Sequence, residues 1–132
     1  MRALVLMFIA ISCNAGAVCN KMSGSDRYPG NIDYCYDADS CTSSVRLGFS
    51  VVLVGQKFRL YGIDAPELRG QTAEAGEKAR DALVAKLAES NNAVEFVLYG
   101  KGKYGRWLVT LCSRGQDVNR WMVKQDYTKI YK

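Results

Sequence analysis

The apolar residues of this chain change their spacing twice, and that change limits its fold more than any other feature. From Val45 to Ile63, "VRLGFSVVLVGQKFRLYGI" is rich in β-branched and aromatic residues, the composition of strands. Strands are expected near 45–54 and 57–62, with Gly55-Gln56 as the hairpin turn. From Thr72 to Glu89 the spacing turns helical. Ala75, Ala79, Leu83 and Leu87 recur every four residues, and Ala82 and Val84 widen the stripe, which predicts an amphipathic helix. Alternation returns at Val94, Phe96 and Leu98, and "WLVTLC" follows as another strand.

Two further stretches complete the order. "IDYCYDADSC" is extended and breaks at the Asp37-Ala38-Asp39 turn, while Val118 to Gln125 forms a short closing helix with Asp117 as its N-cap. Three strands, a helix, two strands and a helix make a mainly β, α+β chain. That order suits a five-stranded Greek-key barrel of the OB type with one longer and one short helix. At 132 residues the chain is one domain. The expected division is a signal peptide over 1–17, a loose Gly- and Pro-bearing lead-in over 18–31, and the barrel over 32–132.

"MRALVLMFIAISCNAGA" has a charged start at Arg2, an apolar run from Ala3 to Ile11, and small residues at Ala15 and Ala17. These are the parts of an export signal cleaved before Val18. The apolar run is short for a bilayer span, so no stable membrane association is expected, and the product is periplasmic or secreted. In an oxidising compartment cysteines pair. Cys13 belongs to the signal, which leaves Cys19, Cys35, Cys41 and Cys112 and three connectivities. Cys35 and Cys41 bracket "YDADS", and this pair is favoured across a tight hairpin.

The chain contains no histidine, which excludes Ser-His and Cys-His triads, Cys/His zinc sites and an imidazole base. Its 18 basic and 13 acidic residues give a formal charge of +5. Such an excess fits a solvated basic surface or a polyanionic partner. The chemistry-bearing residues gather around "FRLYGIDAPE". Arg59 points away from Phe58 and Leu60 by strand alternation. Asp64 and Glu67 lie just past the strand, where Pro66 holds Ala65 extended and turns its carbonyl toward a cation. With Asp37 and Asp39 on another turn, these carboxylates suit a hard cation that takes oxygen ligands, calcium above all. Arg59 and Arg106 would neutralise a phosphodiester, and Glu67 is the best available base for water.

"YDADS", "FRLYGIDAPE", "KYGRWLVTL" and "DVNRWMVKQ" occur in the order and approximate spacing of the staphylococcal nuclease family, which the chain resembles from about Ile32 to Lys132. The resemblance implies an OB-fold barrel and calcium-dependent cleavage of DNA and RNA that leaves 3′-phosphate ends. Under it, Asp39 and Asp64 match calcium carboxylates, the Ala65 carbonyl a backbone ligand, and Asp37 an acidic residue acting through water. Glu67 matches the general base or water-positioning residue, and Arg59 and Arg106 match the phosphate-binding arginines.

Three positions depart from the family pattern. Ala38 stands where glycine is common; a left-handed backbone there would strain alanine by about 1 kcal/mol. Ser40 stands for threonine, and Asp126 for glycine after the last helix. Tyr34, Tyr36, Tyr61, Tyr104 and Tyr127 are candidate walls for stacking unpaired bases, which predicts a preference for single strands; a monomer is expected. Two other readings remain open at this point: an OB module that binds nucleic acid without cutting it, and an exported, disulfide-bonded interaction domain.

Overall fold

A computed structural model describes Cys19 and residues 26–131; the expected signal peptide, Cys13 included, lies outside them. Eight strands and two α-helices follow in chain order among the described residues: β1 (Asp26–Asp37), β2 (Ser40–Gly48), β3 (Val51–Leu60), β4 (Ile63–Asp64), α1 (Ala73–Ala88), β5 (Ala93–Lys101), β6 (Trp107–Ser113), β7 (Gln116–Asp117), α2 (Val118–Lys124) and β8 (Lys129–Ile130), with a 3-10 turn at Gly70–Thr72 before α1.

β1 pairs antiparallel with β2 on one side and β5 on the other; β2 continues into β3, and β5 into β6. Phe58–Leu60 of β3 then pairs in parallel with Trp107–Val109 of β6, which closes a five-stranded mixed barrel. Closure removes most free sheet edge. The OB-type expectation holds. Phe58 stacks on Phe96 inside the barrel at 4.4 Å, and Leu60, Val109 and Leu111 are fully buried. α1 and α2 cover the core with Leu83, Leu87, Val118 and Met122. The Asp117 side chain caps α2 by accepting from the Arg120 N–H at 2.9 Å, satisfying one orphan donor of the first turn.

Three local expectations need correction. The β2–β3 turn is not Gly55-Gln56: Gly48 faces Val51, so Phe49 and Ser50 form the turn, at φ 51° and 61°. A two-residue turn with two left-handed residues follows the strand twist, and that geometry overrides the poor fit of phenylalanine to positive φ. Gly55 instead sits inside β3 at φ 63°. Residues 26–31, expected as lead-in, are strand paired to β5. Gly30 belongs there because a Cβ would stand 2.2 Å from the Ser44 carbonyl oxygen. On α1 the buried face is Gly76, Ala79, Leu83 and Leu87; Ala75 and Val84 are exposed, one position off the inward stripe.

Disulfides join Cys35 to Cys41 and Cys19 to Cys112. The first pins the β1–β2 hairpin at its turn; the second ties the segment before β1 to β6. Among the described residues no helix is long and apolar enough to cross a membrane.

Candidate active site

Three separate stretches meet at one end of the barrel: the β1–β2 turn, the end of β3 with its following loop, and the entrance to β6. Strand register brings them together. Ser40 lies opposite Arg59 across β2–β3, and Arg59 lies beside Leu108 across β3–β6. Arg106, two residues before Leu108, therefore reaches the same end as Arg59.

Asp39 anchors the centre. It is buried, and its backbone carbonyl accepts from the Leu60 N–H at 2.8 Å. Its carboxylate accepts from the Ala65 N–H at 2.9 Å and from the Ser40 hydroxyl at 3.0 Å. Arg59 places one guanidinium nitrogen 3.3 Å from Asp64 and 3.8 Å from Asp39, so a single arginine faces both carboxylates. Arg106 donates to the Ser40 hydroxyl at 2.8 Å. Ser40 thus links Arg106 to Asp39, a role its place in "DADS" did not reveal. The Asp37 carboxyl is pushed up to about 6, by burial first and then by the hydrogen bond and charge of Asp39. Two carboxyls in one turn oppose joint ionisation.

Ala38 does not adopt positive φ, so the expected strain is absent, and it is wholly buried. Its methyl group is core. Asp126 does take the left-handed conformation, φ 61°, one residue beyond the end cap of α2. The Tyr131 ring lies 5.3 Å from the Arg59 guanidinium carbon, carried there by β8, whose Lys129 pairs with Asp64. Nothing in the motif pattern pointed to this tyrosine.

Glu67 is exposed, and its carboxylate makes no hydrogen bond or ion pair among the described residues. Its backbone is fixed instead. The Thr72 hydroxyl donates to the Glu67 carbonyl at 2.9 Å, and α1 packs against the loop at Gly76. A Cβ there would meet the Glu67 and Pro66 carbonyl oxygens at 2.7 and 2.8 Å. Gly76→Ala is expected to lower stability by about 1–3 kcal/mol through this overlap and to displace the Glu67 loop. Urea unfolding checks it; an unchanged midpoint would show that the helix and loop part at no cost.

The donor chemistry of Asp37, Asp39, Asp64 and the Ala65 carbonyl is all oxygen, which suits a hard cation. Among the described residues, however, no three Asp, Glu, Cys or His side chains are gathered closely enough to hold a metal ion. Two carboxylates facing one guanidinium form only part of such a set.

The model of the family described as staphylococcal nuclease homologue matches residues 57–132, more than half of the chain. The chain belongs to the staphylococcal nuclease family. The match covers Arg59, Asp64, Glu67 and Arg106. It begins after the turn with Asp37, Asp39 and Ser40, which geometry joins to the matched segment: Asp39 to Ala65, and Ser40 to Arg106. No match is found among curated proteins.

Proposed function

We propose that this chain is an exported, calcium-dependent nuclease that hydrolyses DNA and RNA with little sequence preference, favours single strands and leaves 3′-phosphate ends. One observation carries the reading. Two guanidinium groups, Arg59 directly and Arg106 through Ser40, converge on the buried Asp39, and the unengaged Glu67 lies two residues past Ala65, whose N–H donates to Asp39. The two disulfides support export, since such bonds persist in oxidising compartments.

Arg59 and Arg106 bind the phosphodiester and neutralise the charge that grows on its oxygens. Glu67 orients water and accepts its proton as the oxygen attacks phosphorus, and the 5′ oxygen departs. Ser40 keeps Arg106 in register with Asp39. Calcium, held by Asp39, Asp64 and the Ala65 carbonyl with Asp37 acting through water, would supply further neutralisation of the phosphate. The protein acts as a monomer without stable membrane association.

The test is cleavage of single-stranded DNA by the oxidised protein with calcium and with chelator. Calcium-dependent cutting with 3′-phosphate ends is expected. Binding without cutting in either condition would overturn the enzyme reading in favour of a binding module.

A further inference from the structure

The five tyrosines expected as walls for unpaired bases differ sharply in what already occupies them, and Tyr131 faces the Arg59 guanidinium. Tyr61 stacks on Tyr99 at 4.4 Å, the Tyr104 ring lies under the Lys103 ammonium, and Tyr127 rests on Trp121. Tyr34 and Tyr36 stand apart. Each is 59% exposed, and neither side chain makes a hydrogen bond or ring contact among the described residues.

These two rings border a cleft of about 340 Å³ that also reaches Thr42, Lys57, Phe58 and Arg106. Asp37 supplies its one carboxyl, against the two cations Lys57 and Arg106. The cleft stands on a tied backbone, because the Cys35–Cys41 disulfide joins β1 to β2 between the two tyrosines, and Cys41 itself lines the cleft. Exposed rings on a stiff support beside cations suit a ligand that joins a flat apolar group to an anion. A nucleotide unit has that composition: the base meets the rings, and its phosphate meets the guanidinium.

We propose that Tyr34 and Tyr36 form a nucleobase subsite for the nucleotide next to the phosphate held by Arg59 and Arg106. The subsite rests on the nuclease reading for its choice of ligand. A paired base presents its faces to its neighbours in the stack, so this cleft takes an unpaired base. Single-strand preference then arises on the β1–β2 hairpin, outside the residues covered by the family match.

Binding is measured by fluorescence anisotropy with labelled single-stranded DNA in chelator at low ionic strength, so that no cutting is required. Tyr34→Ala with Tyr36→Ala is expected to weaken binding about 10-fold or more, while Tyr34→Phe with Tyr36→Phe retains it. A scan of single abasic positions should find one whose loss weakens the unaltered protein but leaves the alanine variant unchanged. Cleavage of the same oligonucleotides in calcium is followed in parallel. If cutting occurs and the alanine variant binds as tightly as the parent, the subsite is wrong and the nuclease stands. Tyrosine-dependent, base-dependent binding without any cutting would keep the subsite and remove the nuclease. Equal loss on abasic and intact DNA, or no binding by the parent, overturns the subsite.

Discussion

Glu67→Gln is expected to lower kcat on single-stranded DNA by about 10²–10⁴-fold, the range of a general base, with little change in KM or in unfolding midpoint. The split follows from where Glu67 sits. Its carboxylate is exposed and unbonded, so the amide exchange breaks no native contact. The backbone is held independently by Thr72 and by the close approach of Gly76, and the loop keeps its path. In the proposed mechanism phosphate binding falls to Arg59 and Arg106, which the exchange leaves untouched. Steady-state kinetics with calcium, beside urea unfolding, makes the measurement. A variant retaining more than about a tenth of its kcat would remove Glu67 from the proton transfer.

The two disulfides should contribute very unequally to stability. In the chain-entropy description the benefit grows with the length of chain closed. Cys19–Cys112 spans 93 residues and Cys35–Cys41 spans 6. Serine at both Cys19 and Cys112 is expected to cost about 4–5 kcal/mol, and serine at both Cys35 and Cys41 about 2 kcal/mol. Guanidinium unfolding of the two double variants compares them directly. The short loop should show its loss in activity instead, because it fixes the turn that carries Asp37 and Asp39. Equal stability losses would mean that native-state packing, not the unfolded chain, sets both values.

The barrel was legible because its strands alternate and its one long helix breaks that alternation. Each of those signals is local. The closing pair, Phe58–Leu60 against Trp107–Val109, joins segments far apart in sequence and leaves no periodic trace. The hairpin turn was misplaced for a related reason: glycine marks left-handed backbone in a sequence, but at Phe49 and Ser50 strand pairing imposes it on other residues. Among the candidate site residues, Arg59, Asp64, Asp39 and Ala65 meet within hydrogen-bonding or ion-pair distance. Arg106 joins them only through Ser40. Ser40, Gly76 and Tyr131 were invisible as site residues because their roles exist only between elements: a bridging hydroxyl, a missing Cβ, and a ring delivered by the last strand.

Barrel closure between β3 and β6 also sets a schedule. Arg59 is made early in synthesis and Arg106 late, with α1 and β5 between them. Contacts across such separations form slowly, since a long stretch of chain must be ordered before they repay it. A nascent chain that has passed the loop after β4 already holds Asp39, Asp64 and Glu67, yet lacks both the second guanidinium and the strand that aligns the first. Whatever chemistry these residues perform begins only when the last large piece of the barrel arrives. During refolding, recovered activity should therefore lag the return of helix signal and coincide with the final step, so that function itself reports a finished molecule.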